Sequence, residues 1–166
     1  MKPTNLYPEG VQHVVHKMRA KDKEEIFATQ WSDDPWTFGN AVLRMGDFGY
    51  VLHADDGEPV VCCGAVPLWD GVWSVWMFAT DRFDEISLST HRFAKKTFFP
   101  ALDYAGYHRL ECRSLATHYK AHEWLEILGA YKESEVDNYG KNGESFVLYC
   151  WTKEIKNAQS NKDVLR

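Results

Sequence analysis

The segment Val72 to Thr80 reads V-W-S-V-W-M-F-A-T and directly follows Asp70-Gly71. An Asp-Gly pair is the strongest short signal for a tight hairpin, because glycine accepts the positive φ that such a turn needs. The strand after it is apolar at odd and even positions alike, so neither of its faces suits water. A chain holding such a strand has to build a sheet and cover both sides of it. With 166 residues, that means one domain with helices above and below the sheet.

The rest of the chain supplies those layers. Val11 to Met18 (V-Q-H-V-V-H-K-M) reads as a first strand. Asp22 opens D-K-E-E, with Glu25 placed as in a capping box, which predicts a helix to about Trp31. Asp34-Pro35 is a second start signal, for a short helix Trp36 to Met45 closed by Gly46. Phe48 to Ala54 and Pro59 to Leu68 are predicted strands, joined by a turn at Asp55-Asp56-Gly57-Glu58. Ala94, Phe98, Ala101, Leu102 and Ala105 recur at helical spacing, in a helix that Pro100 kinks or splits and Gly106 ends. His108 to Arg113 alternates as a fifth strand, Leu110 and Cys112 inward, Glu111 and Arg113 outward. Thr117 is placed to cap a helix whose Ala121, Trp124, Leu125 and Leu128 share a face, with Gly129 just past its end. Ala130 to Val136 and Ser145 to Trp151 form a closing hairpin. Residues 1–152 are thus one domain, and 153–166 a polar tail expected to fray. The fold class is α+β: a mixed, mostly antiparallel sheet of about six to seven strands with helices on both faces.

Charge and residue usage narrow the function. A net charge of -5 argues against a chain that coats nucleic acid, and against nucleic acid as a partner. No apolar run approaches the roughly 18 residues of a membrane span, and Met1-Lys2 is not followed by an apolar leader, so a soluble, unexported protein is expected. Cys62, Cys63, Cys112 and Cys150 sit in strand-like runs without C-x-x-C spacing, as buried reduced thiols do. His118 and His122 share a helix face but have no third ligand nearby in sequence, so no metal is expected.

The order of elements, over about Val11 to Trp151, resembles the GNAT (N-acetyltransferase) superfamily. H-K-M-R-A-K-D-K-E-E-I looks like the family's opening, a strand ending in arginine before an Asp-led helix. A-H-E-W-L-E-I-L-G-A-Y-K-E (Ala121 to Glu133) is similar to its late helix and the leucine-glycine-aromatic corner that follows. Thr117 to Ala130 and Asp137 to Trp151 look, more narrowly, like small GNAT-like proteins of short-tailed bacteriophages, both acyltransferases and internal virion proteins.

The resemblance implies an acetyl-CoA-dependent N-acetyltransferase acting on an amine of a protein or a small molecule. It also implies an alternative: a catalytically inactive module for interaction or virion assembly, with a virion or host protein as partner, in the host cytoplasm or the virion. For the first reading, the backbone of Phe78 and Ala79 would hold the pantetheine arm. The diphosphate would lie at Ser87, Ser89, Thr90, His91 and Arg92, in a loop, Thr80 to Arg92, that lacks the family's glycines and carries Asp81, Asp84 and Glu85. The alternative for Ser87 or Ser89 is a plain helix cap, with Arg92 on the surface. Leu125 stands where the family often has a tyrosine acid, leaving Tyr119, His118 and Glu111 as the candidate catalytic groups. Trp36 and Trp69 line a substrate groove, form a flat face for a protein partner, or cover the core.

Overall fold

The computed structural model describes residues 1–45 and 48–155. The helix end expected at Gly46, and the expected tail beyond residue 155, lie outside the described residues. One seven-stranded sheet runs in the order β1-β2-β3-β4-β5-β7-β6. Its strands are β1 (Lys2–Asn5), β2 (Gly49–His53), β3 (Pro59–Trp69), β4 (Val72–Ala79), β5 (Arg109–Leu115), β6 (Tyr131–Val136) and β7 (Phe146–Thr152). All neighbours are antiparallel except β4 and β5. The helices are α1 (Pro8–His16), α2 (Ala20–Phe27), α3 (Pro35–Val42), α4 (Phe83–Phe93), α5 (Phe99–Tyr104) and α6 (Tyr119–Ile127). The α+β fold expected of the sequence is the one observed.

The apolar strand β4 is central, and its side chains divide between two cores. Phe78 and Trp76 pack against α1, α2 and α3 with Val11, Val14, Phe27, Phe38 and Val42. Trp73, Val75, Met77 and Ala79 pack on the other side with Phe83, Ile86, Phe93, Phe98 and Leu102 of the α4–α5 layer. The glycine turns sit where expected, with φ of 88° at Gly57 and 73° at Gly71. Asp34 caps α3, accepting the Thr37 N–H at 2.8 Å.

Several expectations fail, among them the Thr117 cap, because His118 is the N-cap residue of α6. Val11 to Met18 is no strand: Pro8 to His16 is helix α1, and the sheet opens instead on Lys2–Asn5. Val11, Val14, Val15 and Met18 are all buried at helical spacing, and that period outweighs the β-branched character of the valines. The segment after Thr80 is no extended loop, because α4 already begins at Phe83. Phe83, Ile86, Thr90 and Phe93 form its buried stripe, hidden in the sequence by the hydroxyl-rich residues between them. The helix then loosens into a π-helical turn, Ala94–Phe98, before α5, with Pro100 in the first turn of α5, where its missing N–H is least needed. Lastly, Lys153 does not fray. Its N–H donates to the His108 carbonyl at 2.9 Å, and its Nζ pairs with Asp103 over the Tyr107 ring.

Candidate functional site

Strands β4 and β5 run parallel but pair only over Val72–Ser74 and Arg109–Glu111. Beyond Ser74 they part, and a cleft of about 730 Å³ opens between them. It is lined from both faces of the sheet: by Phe38, Val42, Trp76 and Phe78 on the α1–α3 side, and by Val75, Met77, Phe83 and Trp124 on the other.

The β4 edge of the cleft carries free main-chain groups at defined residues. Thr80 N–H donates to the Val60 carbonyl of β3, so at alternate positions, Phe78 included, the backbone groups point toward β3. Those of Val75, Met77 and Ala79 point toward the cleft. Phe78 therefore cannot offer its backbone to a ligand there. Ala79 faces the cleft but is already engaged: its N–H donates to Asp22 at 2.8 Å, and its carbonyl accepts from the Arg19 N–H at 2.9 Å. The last rung of the β4–β5 ladder, at Ser74 and Glu111, uses the Val75 N–H, so the Val75 carbonyl and both main-chain groups of Met77 remain toward the cleft.

Where the strands stand apart, α2 stitches them. Asp22, fully buried, holds Arg19 through a forked pair at 2.8–3.0 Å as well as the Ala79 N–H. Burial pushes its carboxyl above the usual range, against the pull of Arg19. Glu25 accepts from Ser114 Oγ and the Leu115 N–H of β5, each at 2.6 Å. His118 bridges the two carboxylates, Nδ1 lying 3.1 Å from Glu25 and Nε2 3.4 Å from Asp22. Both ring nitrogens of His118 thus face carboxylates of α2. Next to it, burial lowers the pKa of His122, whose Nε2 lies 3.1 Å from the Leu115 carbonyl.

The other expected residues scatter. Glu111 is held by Arg109 at 2.8 Å and Arg113 at 3.7 Å and does not line the cleft. Tyr119 is exposed and lines a smaller cavity beside the cleft mouth, of about 390 Å³. Of the expected diphosphate residues, only Ser87 borders the cleft, and its hydroxyl donates to the Asp84 carbonyl at 3.2 Å. Ser89 and Thr90 lie within α4, Thr90 buried against Met1, while His91 meets the Trp124 ring and Arg92 faces outward. Trp36 lies against His16 rather than in the cleft, and Trp69 is exposed at the β3–β4 hairpin.

Sequence reasoning missed Asp22, Glu25 and, as a site residue, Tyr139, and it left Arg113 as an outward residue of β5 with no assigned role. The last two meet at 5.2 Å, guanidinium over ring, at the α1–α3 side of the cleft. Asp22 and Glu25 were visible only as a helix start. Among the described residues no group of three or more His, Cys, Asp or Glu side chains is placed to hold a metal ion, and no helix is long and apolar enough to cross a membrane.

No protein-family model matches the sequence, and no curated protein matches it either. Solved structures do match. Ard1 from Thermoplasma volcanium is similar at a TM-score of 0.71 and 10% identity, over 93% of this chain and 98% of that one. An acetyltransferase of the GNAT family from Bacillus anthracis is similar at 0.68 and 10% identity, over 90% and 93%. The ribosomal-protein-S18-alanine N-acetyltransferase from Escherichia coli is similar at 0.64 and 17% identity, over 94% and 97%. The parted parallel strands, the order of the sheet and these likenesses agree: the chain has the GNAT fold.

Proposed function

We propose that this protein is an N-acyltransferase that moves an acyl group from acyl-CoA to an amine held in the same cleft. The observation that carries the reading is the cleft itself. Because it forms where two strands part, it is bordered from both faces of the sheet, so donor and acceptor can meet at its centre from opposite sides. The structural neighbours described as acetyltransferases support the same chemistry.

The residues fit an acyl-pantetheine arm better than they fit a diphosphate at the start of α4. The backbone edges of Val75 and Met77 are positioned to hold the amide-rich arm, and Trp124 and Leu125 wall it in. At the first turn of α4, Asp84 and Glu85 carry charge of the wrong sign, and Arg82 is taken up by Asp56, Glu58 and Glu85 at 2.6–2.8 Å. Acyl-CoA, when bound, supplies an activated thioester; the amine nitrogen bonds to its carbonyl carbon, the carbon–sulfur bond breaks, and the amine proton is lost as the thiol gains one. On the amine side, Phe38, Trp76 and Phe78 shield the centre from water, and Arg113 and Tyr139 border the entrance. The acceptor is an amine of a protein or a small molecule.

A second reading is a catalytically silent module for virion assembly or host-protein binding, the alternative implied by the sequence resemblance of Thr117 to Ala130 and Asp137 to Trp151. It is favoured by one feature: Leu125, on the cleft side of α6, stands where the resemblance leads one to expect a tyrosine acid, and it cannot protonate a leaving thiolate. Calorimetric titration with acetyl-CoA separates the two. Saturable heat with an accompanying rise in melting temperature is expected. No heat and no thermal shift at millimolar ligand would remove the enzyme reading and leave the binding module.

A further inference from the structure

The donor's phosphates, barred from the start of α4, still need somewhere to go. The smaller cavity adjoins the cleft, since Arg19, Phe83, Asp84, His118 and Lys120 border both. Its walls are sorted by charge. Asp81 and Asp84 line the α4 side, while Lys21 and Lys120 line the α2 and α6 side with the hydroxyls of Thr117 and Tyr119. Arg19 also borders it, but its guanidinium is committed to Asp22 and lies over the Phe83 ring at 4.8 Å. Lys120 and Tyr119 are exposed. Lys21 Nζ bonds the Thr117 hydroxyl at 3.2 Å, which holds it at this rim, and pairs with Glu24 at 2.6 Å, an exposed ion pair that a phosphate has to compete with.

We infer that Lys21 and Lys120, with the hydroxyls of Thr117 and Tyr119, bind the phosphate groups of the acyl donor at the α6 side of the cleft mouth. This rests on the acyltransferase reading and specifies it. An anion entering the smaller cavity is repelled by Asp81 and Asp84 and drawn to the opposite wall. There, flexible ammonium groups act as point charges on phosphate, in place of main-chain N–H groups at a glycine-rich turn. Tyr119 on this reading is a positioning group for the donor rather than a proton donor at the reaction centre.

The test is a set of calorimetric titrations with acetyl-CoA and with S-acetylpantetheine, which carries the arm and thioester without phosphate. The proteins are the full chain, a Lys21→Ala/Lys120→Ala double variant and Arg92→Glu, each checked for folding by circular dichroism. The full chain is expected to bind acetyl-CoA on the order of tenfold to a hundredfold more tightly than S-acetylpantetheine. The double variant should lose that preference yet keep its affinity for S-acetylpantetheine, and Arg92→Glu should keep both. Equal binding of the two thioesters by the full chain, or a preference that survives in the double variant, overturns the inference while leaving the acyltransferase reading standing. If neither thioester binds, the acyltransferase reading falls and this inference with it.

Discussion

The two ends of the β4–β5 pair behave as different materials. At Val72–Ser74 and Arg109–Glu111 the strands are laddered together, and their neighbours Trp73 and Leu110 pack into the α4–α5 core. A few residues further on, at Ala79 and Leu115, the same strands are held apart by two carboxylates from α2, Asp22 buried and Glu25 partly so, with His118 between them. Parting two strands exposes main-chain groups that would otherwise be paired, and leaving them unpaired and buried is costly. The protein meets that demand by letting Asp22 and Glu25 accept the N–H groups at the far end. The open middle, at Val75 and Met77, is left for a ligand. The separation of the strands is therefore a built feature with identifiable spacers, and those spacers can be removed.

Asp22→Ala is the strongest way to break the contrast. It strips the acceptor from the Ala79 N–H and leaves the Arg19 guanidinium without its counter-charge. Loss of one partner from a buried, hydrogen-bonded ion pair is expected to cost about 3–5 kcal/mol of stability, read from urea unfolding. A loss below about 1 kcal/mol would mean that apolar packing of Phe78 and Phe83 keeps the strands apart and the carboxylates merely follow. Glu25→Ala should cost less, about 1–3 kcal/mol, because Leu115 N–H and Ser114 Oγ lose an acceptor at a site that is not fully closed to water. A cost for Glu25→Ala equal to that for Asp22→Ala would show the two carboxylates acting as one unit through His118 rather than as separate caps.

Much of the paired end was legible in the sequence, and little of the parted end was. The two-sided apolar run Val72–Thr80 and the Asp70-Gly71 turn placed the central strand, because strand period and turn chemistry are local signals. The late helix and Gly129, at a φ of 94°, were readable for the same reason. The stitch was not, since its contacts join Asp22 to Ala79 across 57 positions and Glu25 to Leu115 across 90. A carboxylate on a short helix looks the same in sequence whether it meets water or a distant strand. The donor site went astray locally instead. Ser87, Ser89 and Thr90 read as loop residues, and that hid the buried stripe Phe83, Ile86 and Phe93, which makes the segment a helix.

The smallest effect belongs to the paired end, where charges lie near water. Arg109 of β5 holds Glu133 of β6 at 2.6 Å across the intervening β7, and also Glu111 at 2.8 Å. The guanidinium keeps the Glu133 carboxyl low, at about 2 against an ordinary 4.5. Because its pKa is depressed in the folded chain, the stability it adds is fully present above the unfolded value and is lost as pH falls from about 4.5 toward about 2. Glu133 is partly exposed, so solvent screening holds the contribution to under about 1 kcal/mol. Glu133→Gln should thus lower stability slightly at neutral pH, and the difference from the parent should shrink across that acid window and vanish below it, in urea titrations at stepped pH. A penalty as large as that of Asp22→Ala would place the electrostatic weight of the sheet at its paired end, and the contrast drawn between the two ends of β4 and β5 would have to be reversed.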